Sequence, residues 1–342
     1  MFITGCHRSG TSLLASVLSE FLGVSPDKGD QMQPALDNPM GFQESNRFVS
    51  FNDLLLDRVG CSWVRPPLLP PQWDKDPLLA ELSSQRQSFH ELALERLWLV
   101  KDPRFCLTYP AYLHILLRRV PIVASIRHPL SVAGSLFARN GIPLNAGLCI
   151  WFLYNYHLAS VIAADEPVIA YSHLLQAGHK ETICSDLYNR IPSWLEQNSM
   201  QAADYQSWCN IIESKLCPSL DRAGGVLEPS SSPRVSHTLL ETCESAYNSC
   251  LEYGADGFAL QKSFGSLPRV VLEIQQLFGV CPSTDPMEFI RMRELVDSSH
   301  QEHNQLEARL RDLQVEYQAL RRSTSWRLTA PLRLFMRQMR RR

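Results

Sequence analysis

The chain has 342 residues, 45% of them apolar, which is ample for one large domain or two ordinary ones and excludes disorder as its main state. Thirty-three Lys and Arg against 35 Asp and Glu give a formal net charge of -2, which excludes the usual basic kind of nucleic-acid binder. That charge is unevenly spread: eight arginines and no acid lie between Arg321 and Arg342, leaving 25 basic against 35 acidic residues ahead of them.

In chain order, MFIT reads as a short strand and SLLASVLSEFLG as an amphipathic helix stopped at Gly23. Pro66 to Pro77 is too proline-rich for regular structure and reads as a loop. LWLVKD and PIVASIRH are apolar runs ending in charged residues, as buried parallel strands do where their carboxyl ends reach a site. LCIWFLYNYHLASVIAA, Leu148 to Ala164, is interrupted by Asn155 and His157 and falls short of a membrane span, so it reads as a buried helix. PVIAYSHLL reads as one more strand running into a turn.

This alternation predicts an α/β fold, a P-loop-like parallel sheet flanked by helices. Helical additions such as TICSDLYNRIPSWLEQ and SHTLLETCESAYNSCLEYG, parted by the turn-rich AGGVLEPSSSP, complete a domain over residues 1–285. From Phe289 the positions Met292, Val296, Ser299, His303, Leu306, Leu310, Leu313, Tyr317 and Leu320 alternate three and four apart, which predicts a coiled coil over 286–321 and a homo-oligomer. Trp326, Leu328, Leu332, Phe335 and Met339 interleave with arginines in 322–342, the composition of an interfacial helix for an anionic membrane surface.

Ten cysteines show no C-x-x-C pair and no zinc-type grouping with histidine, so free thiols in a reducing compartment and no metal are expected. The N-terminus has neither the charged nor the long apolar region of a secretory signal, which predicts a cytoplasmic protein, peripheral at the inner face of the membrane if the tail binds there.

The strongest chemical signal is GCHRSGTS, Gly5 to Ser12, after a strand and before a helix. Glycines let backbone amides turn toward an anion and the helix N-terminus adds favourable partial charge. The spacing is that of a Walker A loop with Thr11 in place of the lysine, which leaves Arg8 as the cation. The plainer reading is a turn that needs glycine for steric reasons. In IRHPLSVAGS, Arg127 ends a strand and Ser135 follows eight residues later in a helix opened by Pro129, so the two would clasp a second phosphate. NPMGFQE offers Glu44 and VKDPR offers Lys101, a carboxylate and an ammonium beside an anion loop. Their plainer reading is a salt-bridge cluster of Glu44, Lys101, Asp102 and Arg104.

Over Met1 to about Leu175 these motifs, in this order, resemble the bacterial branch of the sulfotransferases that use 3'-phosphoadenosine 5'-phosphosulfate (PAPS). GCHRSGTSLLA is similar to that family's 5'-phosphosulfate loop, IRHPLSVAGSL to its 3'-phosphate segment, and NPMGFQE and VKDPRFCL to the segments between. The resemblance implies Arg8, Ser9, Gly10, Thr11 and Ser12 around the 5'-phosphosulfate and Arg127 and Ser135 on the 3'-phosphate. It implies Glu44 as the catalytic carboxylate and Lys101 as the catalytic lysine; His7 and His128 are the competing bases. In the family the first strand has several residues ahead of the Met1 position. The closing STSWRLTAPLR resembles tails that follow coiled coils in bacterial polysaccharide-assembly glycosyltransferases, which suggests a saccharide hydroxyl as acceptor. Two rivals remain: a P-loop kinase or nucleotidase, which would need a divalent metal, and an inert coiled-coil adaptor.

Overall fold

Four short strands pair in parallel in the order β2-β1-β3-β4: β1 (Phe2–Thr4), β2 (Val100–Lys101), β3 (Ile122–Ile126) and β4 (Val168–Ala170). They belong to a computed structural model that describes residues 1–21, 30, 32, 43–71, 73, 99–175, 210–211, 235–278 and 309. Every strand residue is buried, which is why these runs are apolar without alternation. Ile3 stands level with Lys101 and Val123, and Ile126 with Ala170, so Gly5, Lys101, Arg127 and Tyr171 leave the sheet at one end. The order reverses between β1 and β3, and open parallel sheets bind ligands in the crevice beyond the strand ends at such a reversal.

The flanking helices among the described residues are α1 (Thr11–Phe21), α2 (Asn46–Arg58), α3 (Phe105–Leu116), α4 (Pro129–Asn140), α5 (Leu144–Ala159), α6 (Tyr171–Leu175), α7 (His237–Glu252), α8 (Gly257–Ser263) and α9 (Arg269–Phe278). The α/β sheet flanked by helices is therefore present as expected. Phe2 anchors one side of it, stacked on Phe105 with ring centroids 4.0 Å apart and met edge-on by Tyr109, Tyr112 and Phe48. Each such ring buries a large apolar surface, and these contacts fix α2 and α3 against β1.

The long apolar helix is shifted from its expected range. It starts at Leu144, because Pro143 has the extended ψ of 143° that opens a helix, and ends at Ala159, where Ser160 and Val161 donate to carbonyls three residues back. It is buried nearly all round, and its interrupting polar residues are satisfied internally: Asn155 donates to the Trp151 carbonyl at 2.8 Å and His157 Nε2 lies 2.6 Å from the Pro67 carbonyl. Among the described residues no helix is long and apolar enough to cross a membrane. The strand expected through PVIAYSHLL ends at Ala170 and turns directly into α6.

The chain divides into two units, residues 1–280 and 281–342. The coiled coil over 286–321, the tail over 322–342, TICSDLYNRIPSWLEQ and AGGVLEPSSSP lie outside the described residues, except for Arg309 in a helical turn.

Candidate active site

The loop after β1 takes its shape from contacts that exclude side chains. Gly5 has φ 145°, and a Cβ there would lie 2.3 Å from the Ser125 carbonyl oxygen of β3; Gly10 has φ 94°, and its Cβ would lie 2.2 Å from Tyr171 Cδ2. Both positions therefore require glycine for close approach as well as for backbone angle. Ser9 N donates to the Cys6 carbonyl at 3.1 Å and Ser125 Oγ to the Ser9 carbonyl at 2.7 Å, which closes the turn onto β3. Thr11 then begins α1, whose first amides have no partner within the helix.

Arg8 is the strained residue. Its φ of 68° is left-handed, a conformation that costs a residue with a side chain roughly 1–3 kcal/mol. The compensation is visible: Arg8 Nε donates to Ser135 Oγ at 2.8 Å, and Arg127 Nη1 donates to the Arg8 carbonyl at 3.1 Å. Arg127 is itself held, its guanidinium 4.3 Å from the centroid of the Tyr171 ring and its carbonyl accepting from Trp151 Nε1 at 2.9 Å. Arg8, expected with the loop residues at the first phosphate, thus reaches the Ser135 side chain of the second group. Ser9 lies beneath the loop, fully buried, with its hydroxyl against Gly5 and no hydrogen-bond partner. Thr11 is buried, while Ser12 and Gly10 are half-buried.

Glu44 and Lys101 meet although 57 positions separate them. Lys101 Nζ donates to Glu44 Oε1, and Arg104 Nη1 lies 3.6 Å from Glu44 Oε2. Glu44 is placed by its backbone, whose carbonyl accepts from Met32 N at 2.8 Å, and by the adjoining turn, where Asn46 N donates to the Asp30 carbonyl at 2.8 Å. Arg104 also bonds Asp53 Oδ1 at 2.7 Å and Asp102 Oδ1 at 3.1 Å. Burial opposes its charge, but Asp102, Asp53 and Glu44 more than offset that and raise its hold on its proton. Asp102 is fully buried and both its oxygens are occupied, Oδ1 by the Arg104 amide and guanidinium and Oδ2 by Asn52 Nδ2 at 2.9 Å. Thr108 and Tyr112 hydroxyls in turn bond Asn52 Oδ1. The salt-bridge cluster and the offered carboxylate and lysine are thus one arrangement.

His7 belongs to the loop after β1 and feels charges from both groups. Its ring lies 4.7 Å from Trp63 and 5.6 Å from Tyr154, whose hydroxyl donates to the Trp63 carbonyl at 3.0 Å. Nε2 is shut off from solvent with no hydrogen-bond partner. Burial, then the charges of Arg104, Lys101, Arg139 and Arg8, push its pKa well below the ordinary histidine value. His128 is half-exposed, 3.6 Å from Glu244 and edge-on to Tyr247. Burial also lowers the His128 pKa, against the pull of Glu244.

Sequence reasoning passed over Trp63, Tyr154, Tyr171, Asn52 and Asp53. The tryptophan sits at the edge of a proline-rich loop and the tyrosines carry no motif, so their signal is tertiary. Among the described residues no group of three or more His, Cys, Asp and Glu is placed to hold a metal ion. Cys6, Cys61, Cys106, Cys149, Cys243 and Cys250 are free thiols.

The class these elements define is an α/β protein whose glycine-bearing strand-to-helix loop closes on an arginine-serine pair at the reversal of a parallel sheet. No family model matches the sequence, and no curated protein matches it. Among solved structures, the chain is similar to the sulfotransferase domain from the Synechococcus PCC 7002 olefin synthase, 15% identical, with 82% of this chain and 94% of that one covered and a TM-score of 0.35. It is similar also to the sulfotransferase domain from the curacin biosynthetic pathway, at 15% identity, 81% and 96% coverage and a TM-score of 0.33. Likeness at this distance leaves the chemistry to be argued from the residues.

Proposed function

We propose that the chain is a PAPS-dependent sulfotransferase that moves a sulfuryl group to an acceptor hydroxyl, with a saccharide as the acceptor class. The observation that carries this reading is the Arg8–Ser135 hydrogen bond at 2.8 Å. It joins the loop after β1 to the segment after β3, so that two anion-binding motifs face one crevice, as a donor with phosphate at both its 5' and 3' positions requires.

PAPS would supply an activated sulfuryl group on a phosphate leaving group, and the transfer is a loose in-line displacement in which positioning and charge stabilisation dominate. Arg127 and Ser135 hold the 3'-phosphate by charge-assisted bonds. The amides of Gly10, Thr11 and Ser12 at the start of α1 receive the 5'-group, and Arg8 lies between the two. Lys101, paired with Glu44 when no anion is present, is the cation for the bridging oxygen. Its turn toward the donor frees Glu44 Oε1 to take the acceptor proton. The P-loop kinase reading lacks a comparable support, since both oxygens of Asp102, the acid nearest a Walker B position, are occupied within the protein.

Calorimetry tests the reading with two nucleotides. Adenosine 3',5'-bisphosphate is expected to bind at least tenfold more tightly than adenosine 5'-monophosphate, because one charge-assisted contact set is missing from the second. Equal affinity for the two overturns the donor assignment.

A further inference from the structure

We propose that His7 is a ligand of the oxyanion bound in this crevice, donating a hydrogen bond from Nε2 to it. The inference rests on the donor reading only in that both need an anion at the loop after β1.

Three observations converge on this atom. Nε2 is buried and unpartnered, and a buried polar nitrogen without a partner is costly enough that such sites in native proteins call for an explanation. The ring is fixed in place by Trp63 and Tyr154 rather than by a hydrogen bond, so its orientation survives whatever Nε2 binds. The leading charges acting on it are positive: Arg104 and Lys101 at the end of β2, themselves paired with Glu44, Asp102 and Asp53, then Arg139 from α4 and Arg8 from the loop itself, with the Tyr154 phenol of α5 against the ring. The group that complements a neutral N–H donor among four cations is an oxyanion.

A consequence follows for protons. Burial first, and then these four cations, push the His7 pKa below the ordinary histidine value. A bound anion offsets that field, so His7 gains proton affinity as the anion enters, and anion affinity rises as pH falls. A histidine that merely fills space would show no such linkage.

The test uses the full chain labelled with 15N-histidine and two probes, inorganic sulfate and adenosine 3',5'-bisphosphate. Of ten imidazoles, the one lost in His7→Gln is expected to shift at Nε2 on adding either probe, with its titration midpoint rising by about one pH unit. Bisphosphate affinity is expected to fall about tenfold in His7→Leu and less in His7→Gln, which keeps a neutral N–H near the Nε2 position. If His7→Leu does not fold, the spectra of the unsubstituted protein decide alone. Bisphosphate binding with the His7 signals unmoved overturns the inference and leaves the donor reading intact. Sulfate moving His7 while bisphosphate fails to bind supports the inference and removes the donor reading. Binding of neither probe overturns both.

Discussion

The two halves of the crevice are built on opposite terms. On one side Arg8, Arg127 and Ser135 are half-buried and tied by a hydroxyl, a carbonyl and an aromatic face. On the other, Glu44, Lys101, Asp102 and Arg104 are each less than 10% exposed and tied by ion pairs. Contacts of the first kind exchange readily with a ligand's oxygens because solvent already reaches them. In the second kind, each charge has left water for its neighbours, and removing one strands the rest. The first half is therefore expected to govern affinity, while the second governs stability and the chemical step.

The largest effect expected from this contrast is on folding. Arg104→Ala leaves the buried Glu44 and Asp102, and the more exposed Asp53, without their shared partner, and urea unfolding is expected to show a loss of about 3–5 kcal/mol. Arg127→Ala in the same assay is expected to stay within about 1 kcal/mol, since the residue is half-exposed. Similar losses for the two would break the contrast.

Next comes turnover. Glu44→Gln removes the proposed proton acceptor while keeping the shape of the side chain, and labelled-sulfate transfer is expected to slow roughly 100-fold with bisphosphate affinity little changed. His128→Ala, at a ring that meets Glu244 and Tyr247, is expected to retain activity. Reversal of these two results reassigns the base to His128.

Affinity is the third measure. Arg127→Ala is expected to weaken adenosine 3',5'-bisphosphate by roughly 10- to 150-fold, the range of a lost charge-assisted contact, and adenosine 5'-monophosphate much less. Equal losses on both ligands would make Arg127 a residue of the fold, holding the Arg8 carbonyl in place.

The smallest effect is on the pH dependence of stability. Burial holds the pKa values of His7 and His157 below their ordinary value of 6.5 in the folded protein. The unfolded chain binds protons at these residues first, so their contribution is present above pH 6.5 and is lost as pH falls toward their folded values. Each histidine contributes at most about 1.4 kcal/mol per pH unit to that fall. Urea midpoints between pH 7.5 and 5.5 are expected to drop, and to drop less steeply in His7→Gln. An unaltered slope in that variant removes His7 from the groups responsible.

Much of the scaffold was legible because its signals are local. Four apolar runs announced the strands, since a strand buried on both faces by crossover helices has no polar face to show. GCHRSGTS announced the loop, since Gly5 and Gly10 answer steric demands that few other residues meet. The helices over 46–58, 105–116 and 269–278 were not foreseen. α3 contains Pro110, which breaks the usual helix signature, and α2 is mostly polar with its buried residues set by contact with α3 and β1. The expected coiled coil and tail belong to residues outside the description.

The amino-acid sequence by itself determined which residues carry charge, which runs are apolar enough for buried strands, and where glycine permits the backbone to turn around an anion. These follow from side-chain chemistry and neighbours within a few positions. Tertiary structure alone decided that Lys101 and Glu44 would meet, that Arg8 would reach Ser135, and that His7 Nε2 would be buried without a partner. Those outcomes depend on the strand order β2-β1-β3-β4, which brings distant segments to one end of the sheet. Local propensity does not encode such an order, because it arises from packing the crossover helices on the two faces of the sheet.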